Sequence, residues 1–523
     1  MAKKHPIRFN SGLRLATLVA TLILSACDFP PSTLTPASPS PTQLPTLTAS
    51  PSEAATPVFT PTPILPNTPS PSPTPDPARA PSPNLDSLGP GWGAFAYKVE
   101  VGEDLGLIAA RYGVSYDQIR AANGFTGGET LLPGQIILIP QIIQEQSPAL
   151  KLISDSELVY GPGAVGFDVI AFVAGHKRGY LFKYSETING EEVGGAELIQ
   201  RAAQNYSVNP RLLLALLEHQ SGWLTQIELS DNARLYPFGR TEGGTEGLYR
   251  QLAWAANALN RGFYEWRSQN LSLLILGDGT RVGLSDGLNA GTASIHYFFS
   301  LTTIDFESWE SSVSAIGFFK TYTALFGQPF ANAVEPLTPP LQAQPELGLP
   351  WQGGETWFYS GGPHASFGSG SPWGAVDFLP PGNESGCAVS PNWVTAVASG
   401  LVARSGEGQV LLDLDQDGNE QTGWVVVYLH VAEEGRVAAG AQVSRGDHIG
   451  HASCEGGFAK DAHIHLARKY NGVWLAASDP LAPFVLGGYT FKSTGSEYNG
   501  LVEGLGVARL ACACRDSGNA ITK

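Results

Sequence analysis

The sequence predicts a multidomain protein with three folded parts in series: a small βααβ module, a mainly α middle domain and a mainly β C-terminal domain. Three observations predict it. A chain of 523 residues is too long for one hydrophobic core and divides into about three domains. Its apolar pattern passes from short alternating runs to helical spacing and back to short alternating runs. A long Pro-, Thr- and Ser-rich stretch stands ahead of all three parts. Charged residues make up only 15% of the chain and the formal net charge is −16, so the chain has no electrostatic basis for binding nucleic acid.

At the N-terminus, Lys3, Lys4, Arg8 and Arg14 precede the apolar run LATLVATLIL. That run is too short to span a bilayer as a helix but has the length of a signal-peptide core. Ser25 and Ala26 lead into Cys27, and LSAC resembles a bacterial lipobox. The resemblance implies a signal peptide over residues 1–27 and a lipidated Cys27 at the mature N-terminus. The protein would then be extracytoplasmic, anchored to the cell membrane and reaching into the cell wall. The alternative is an ordinary signal peptide with an incidental cysteine. Residues 28–92, typified by TPTPILPNTPSPSPTPDP, can bury no core and are expected as an extended stalk. At about 3 Å per residue such a stalk reaches well over ~100 Å.

Residues 93–141 form the first module. YKVEV alternates like a strand, two helical stretches follow with a break at YGVS, and GQIILIP closes as a second strand. Ser115 is placed to cap the second helix. Tyr97, Val99, the turn GEDL, IAARYGVS, Asn123 and LLPGQIILIP resemble a LysM domain over the whole module. The resemblance implies a shallow groove for N-acetylglucosamine chains between two loops, Gly102–Leu107 and Thr130–Gln135. Gly102, Asp104, Leu105, Leu132, Pro133 and Gly134 are the glycan-contact candidates it supplies. The other reading keeps the fold as a spacer.

Residues 150–335 carry apolar residues at helical spacing around Leu198, Ile199, Ala202 and Leu212 to Leu217. Asn209-Pro210 starts a helix, proline being tolerated in a first turn. The segment NPRLLLALLEHQSGW resembles the helix that carries the catalytic Glu of lysozyme-like lytic transglycosylases. Here Gln220 stands in that Glu's place, and an amide cannot protonate a leaving group as a carboxylic acid does. Glu218 would leave a different helical face. A degenerate lysozyme-like domain or an unrelated helical spacer is the expectation, without glycosidase activity.

The C-terminal part, residues 345–485, is Gly-rich and reads as short strands separated by turns. Six of the chain's ten histidines fall between His364 and His465, a density that favours a metal or acid–base site. In HIH, His463 and His465 stand at i and i+2, so on a strand both leave one face. YLH offers Tyr428 and His430 the same relation. Asp377 lies in the apolar run AVDF, and a buried carboxylate needs a partner or a metal. DLDQDGNEQTG, residues 413–423, resembles the start of a calcium loop but has Trp424 where the bidentate Glu belongs, so a charged hairpin turn is expected.

AVDF, YLH, GDHIG and HIH occur in the order found in lysostaphin/LytM-type zinc metallopeptidases, the murein endopeptidases of the M23 family, and residues 350–485 resemble that family. The resemblance implies a duplicated-hybrid or barrel-sandwich β fold and Zn2+ as cofactor. It makes Asp377 and His465 metal ligands and gives the water and the tetrahedral intermediate to His430 and His463. The family's first ligand belongs four residues before Asp377, where this chain has Trp373. His364 lies thirteen residues before the aspartate, across ASFGSGSP, and is the expected displaced ligand if that stretch folds back. If it does not, the domain resembles the catalytically inactive members that bind wall or partner enzymes.

Cys387 and Cys454 are the expected disulfide. Cys512 and Cys514 sit too close for an easy mutual bond, and three pairings are formally open. Residues 486–523 read as a terminal hairpin without chemistry. The combined expectation is a membrane-anchored endopeptidase held by its LysM module against peptidoglycan, both its N-acetylglucosamine chains and its stem peptides. The alternative is an inactive wall-binding or amidase-activating lipoprotein.

Overall fold

The computed structural model describes residues 84–339, 343–382 and 386–523; the expected signal peptide, Cys27 and the stalk up to residue 83 lie outside them. Strands Trp92–Lys98 and Ile136–Ile142 pair antiparallel, and helices Leu105–Tyr112 and Tyr116–Asn123 fill the space between. The second helix starts where the sequence places it. Ser115 Oγ accepts from the Gln118 amide (3.1 Å) and Gln118 Oε1 accepts from the Ser115 amide (2.7 Å), a reciprocal capping box that satisfies two end donors at once. Leu105, Ile108, Ile119, Ile137 and Ile139 make the small core. This corrects Leu105 as a glycan contact: it is 3% exposed, because the first residue of the helix must face inward to close so thin a core. Asp104 is also employed locally, capping that helix by accepting from the Leu107 amide at 2.8 Å. Gly102, Leu132 and Pro133 remain exposed.

The middle part is helical, with helices Gly195–Tyr206, Pro210–Ser221, Leu248–Arg267 and Ala290–Ser300 packed together. Short strands stand at its margin. Pro210 occupies the first turn and the Asn209 side chain caps it, as the Asn-Pro pair suggested. Arg211, buried in this core, holds Glu157 through two nitrogens at 2.6 and 2.8 Å.

Among the described residues of the C-terminal part, nine strands form one antiparallel sheet. Its centre runs from Gln409–Asp413 through Trp424–Leu429, Ile464–Tyr470 and Trp373–Leu379 to Thr356–Ala365. One face carries Val376, Phe378, Val426, Tyr428, Ile464 and Leu466 and packs into the domain's own core. The opposite face carries Ala375, Leu411, Val425, Val427, Ala467 and Trp474, with Tyr264 of the middle domain and Phe367 against it. The Trp474 amide donates to Tyr264 Oη (2.9 Å) and its indole to the Tyr206 carbonyl (3.2 Å). The middle domain therefore packs against this face around Trp474.

The last residues are not a separate tail. Strand Ala520–Thr522 pairs with Thr356–Ala365 and completes the sheet edge, while Tyr489–Ser493, Gly500–Gly504 and Val507–Leu510 form a second sheet with Val485–Leu486. Asn519 secures the closure by donating to the carbonyls of Tyr359, Cys512 and Cys514. Cys387 and Cys454 are bonded, and so are Cys512 and Cys514, the second pair against expectation. The chain bends at Ala513, the Cα atoms stand 5.1 Å apart, and a bridge can reach. The acidic stretch after Asp413 is a turn between two strands, Asp413 accepting from the amides of Asp415, Gln416 and Gly418. Among the described residues no helix is long and apolar enough to cross a membrane.

Candidate active site

Cross-strand register builds the cluster. His465 lies directly opposite Asp377, with Ile464 opposite Phe378 and Leu466 opposite Val376. Alternation sends the last four side chains into the core and leaves His465 and Asp377 together on the opposite face. His463, two residues before His465, joins them, its Nε2 lying 3.8 Å from Asp377 Oδ1.

His364 arrives by an irregularity. On its strand Gly361 lies opposite Asp377, but His364 lies opposite Ala375. Three steps on one strand match two on the other, so one residue is extra. Without it Pro363 would stand opposite Ala375, on the Asp377 face, and His364 would turn away. A β-bulge re-aims a side chain in this manner, and Pro363, with no amide hydrogen to pair, suits the site of the break. Gly361 completes the fit. A Cβ there would come within 2.4 Å of Asp377 Oδ2, so glycine leaves room for the carboxylate. Trp373, at the position of the usual ligand, begins the Asp377 strand opposite Ala365.

His430 also departs from simple alternation. Tyr428 lies in the core with its oxygen accepting from the Val397 amide at 2.8 Å, so the YLH pair does not share a face as read from sequence. The strand ends at Leu429, and His430 takes a left-handed backbone with φ of 67°. That turn carries its ring back to the histidine cluster, 4.5 Å from the His463 ring centre.

Hydrogen bonds assign the lone pairs. His364 Nδ1 donates to the Gly362 carbonyl (2.8 Å), and His465 Nε2 donates to the Ser366 carbonyl (3.0 Å). A carbonyl can only accept, so in its neutral form each ring carries its proton on that side and presents a bare nitrogen on the other. The bare nitrogens, His364 Nε2 and His465 Nδ1, each lie 3.3 Å from Asp377 Oδ1 and 3.0 Å from each other. Asp377 Oδ1 is buried and has no hydrogen-bond partner of its own. Three electron-pair donors with no proton to share are a costly arrangement unless a cation sits among them. The site draws positive charge: burial opposes charge on His364, yet Asp377 beside it raises its basicity. Burial would likewise raise the Asp377 carboxyl, but His364 and His463 hold it well below the usual range.

The donor set is two imidazole nitrogens and one carboxylate oxygen, all within 4.8 Å of one another. It fits zinc, which takes such ligands three at a time in catalytic sites and leaves one position open. His430 and His463 stand apart from this triad. Their Nδ1 atoms donate to the Glu455 and Asp461 carbonyls, both at 2.8 Å, so in the neutral ring the lone pair lies on Nε2. Burial, then the neighbouring His463 and His465, keep His430 neutral down to about 3.

Sequence reasoning missed Tyr498. Its ring stacks on His364 with centres 4.2 Å apart and 21° between planes, and it is 54% exposed. The backbone is left-handed at φ 66° and is held by Gly362 N donating to its carbonyl (2.8 Å). GSEYNG reads locally as a turn, and nothing in it announces a partner more than a hundred residues away. The Glu455 and Ser366 carbonyls were equally invisible, since any residue supplies one.

Residues 97–140 match the LysM domain family and residues 151–339 match the family described as LasA, N-terminal domain. Protease LasA of Pseudomonas aeruginosa is 27% identical over 358 residues, covering 64% of this chain and 77% of that protein. Among solved structures, the deep-sea M23 metalloprotease pseudoalterin is 24% identical, covering 32% of this chain and 96% of its own, with a TM-score of 0.27. The catalytic domain of lysostaphin from Staphylococcus simulans is 23% identical, covering 24% and 89%, with a TM-score of 0.18. The chain thus joins a LysM domain to a LasA N-terminal domain and is similar in sequence to Protease LasA over 358 residues.

Proposed function

We propose that this chain is a zinc endopeptidase that hydrolyses peptide bonds in the stems or cross-links of peptidoglycan, held to the wall by its LysM domain. The observation that carries the reading is the convergence of His364 Nε2, Asp377 Oδ1 and His465 Nδ1, three buried donors with no proton between them. These three atoms would hold the metal. Bound there, zinc lowers the pKa of a water to about 7 and polarises a carbonyl. The chain's own part is proton handling and orientation. In their neutral rings His430 and His463 present Nε2 lone pairs, so one can take the proton of an attacking water and then give that same proton to the leaving amine, while the other orients the reacting groups. Their Nδ1 bonds to fixed carbonyls prevent the rings from rotating. Tyr498 covers one face of His364 and limits water access to the triad from that side.

The barrel-sandwich description of the β domain, the lipidated Cys27 and a stalk reaching from membrane to wall belong to the same reading. Measuring zinc per full-length chain, beside release of new amino groups from purified peptidoglycan, tests it. One zinc in the wild type and in Trp373→Ala, none in His364→Ala, and hydrolysis tracking the metal are expected. A wild type that takes up no zinc at neutral pH would overturn the enzyme and leave a wall-binding scaffold.

A further inference from the structure

The LysM domain does not hang free in front of the peptidase. On one side it is fastened to the middle domain: the Ala94 amide donates to Ser272 Oγ and the Ser272 amide to the Ala94 carbonyl, both at 2.9 Å. On the other side it meets the loop that carries Tyr498. Gln135 forms an antiparallel bridge with Ser496, which is fully buried, and Lys98 pairs with the carboxylate of Glu497. Gly134, left-handed at φ 82°, lies so close that a Cβ there would stand 3.5 Å from the Glu497 amide nitrogen. The second carboxylate oxygen of Glu497 accepts from the Ala365 amide at 3.4 Å, next to His364.

One short loop therefore touches both sites. Gly134 and Gln135 belong to the 130–135 loop of the LysM groove, while Tyr498, one residue after Glu497, stacks on His364. Consecutive Cα atoms are about 3.8 Å apart, and an extended peptide of four residues spans about 13 Å. Leu132 of that loop and the Tyr498 ring are both exposed, at 44% and 54%.

Resting on the endopeptidase reading above, we infer that the LysM groove and the metal site form one composite surface whose ligand is a chain of N-acetylated amino sugars still carrying its peptide stem. The sugars lie on the LysM loops while the stem crosses Glu497 and Tyr498 to the triad. Lys98 is the positioning residue: its pairing with Glu497 keeps the two halves in register. A free peptide, or a bare sugar chain, fills only half of the surface.

The test measures Kd on the full-length protein in a His463→Ala background, so that the ligand is not consumed. The probes are a bare N-acetylglucosamine tetramer and a peptidoglycan tetrasaccharide bearing tetrapeptide stems. The stem-bearing probe is expected to bind at least about tenfold more tightly, as two linked contacts on one rigid surface do. Lys98→Glu should remove that gain and leave the bare-sugar Kd unchanged, and Lys98→Arg should keep it. Equal Kd values for the two probes, binding of neither, or a gain that survives Lys98→Glu would each overturn the inference. If the gain is present but protein with His463 intact cleaves no stem, the composite surface stands and the endopeptidase reading falls.

Discussion

Two regions of this molecule look catalytic in sequence, and the structure treats them in opposite ways. In the middle domain, the Glu218 carboxylate accepts from the Leu224 amide (2.8 Å), the Thr225 amide (3.3 Å) and the Thr225 hydroxyl (2.5 Å). It closes the loop after its own helix. Gln220 donates to Thr302 Oγ1 at 3.2 Å. In the C-terminal domain, Asp377 Oδ1 is buried among two bare imidazole nitrogens and accepts nothing. Polar groups that serve architecture satisfy one another; polar groups that serve chemistry are held unsatisfied by the fold around them.

The largest expected effect that would break this contrast comes from the triad. Replacing His364 with Ala should abolish zinc uptake and peptidoglycan hydrolysis together, measured by metal analysis and amine release. A variant that kept the metal would show that the bulge does not deliver a ligand. Next, His463→Ala should lower kcat by about 10²–10⁴, the usual share of a general acid or base, while zinc content stays at one per chain. Loss of the metal in that variant would move His463 into the ligand set.

The disulfide sharpens the comparison on the side of stability. Cys387–Cys454 closes a loop with a sequence separation of 67 and ties down the segment whose Glu455 carbonyl orients His430. Replacing both cysteines by Ser should cost about 2–5 kcal/mol in denaturant unfolding, with a fall in kcat before the protein melts. An unchanged unfolding midpoint would contradict this. In the middle domain, His296 is fully buried with neither ring nitrogen bonded, and burial pushes it down to about 3. Its folded value lies below the unfolded one, so its share of stability is complete above about pH 6.5 and drains away as pH falls toward 3. Thermal melts between those limits should fall less steeply in His296→Leu than in the wild type. Smallest of all, Glu218→Gln should leave hydrolysis within about twofold and cost roughly 1.5–3 kcal/mol, the scale of a hydrogen bond to a charged group. Loss of activity with stability intact would reopen the middle domain as a second catalytic site.

Legibility followed the range of the interactions involved. The Ser115 cap, the Asn209-Pro210 helix start and the i, i+2 relation of His463 and His465 depend on neighbours along the chain, and each is found as read. Leu105 misled because the loop it was assigned to and the helix it begins are adjacent, and only packing tells which side it faces. The YLH pair misled because alternation holds to Leu429 and fails one residue later, where His430 turns left-handed. Cys512 and Cys514 misled because spacing alone does not reveal a bend.

By itself the sequence determined which elements form and which atoms are available to them: a βααβ module, a helical middle, a β-rich end, and histidines and an aspartate able to bind a metal. Residue identity and short-range periodicity carry that information. Tertiary structure alone decided that His364 is brought to the triad, that His430 turns back to it, that the last strand closes on the His364 strand, and that the LysM domain meets Glu497. Each of these rests on register between strands or loops far apart in the chain, where a shift of one residue reverses every side chain, and no local signal records that choice.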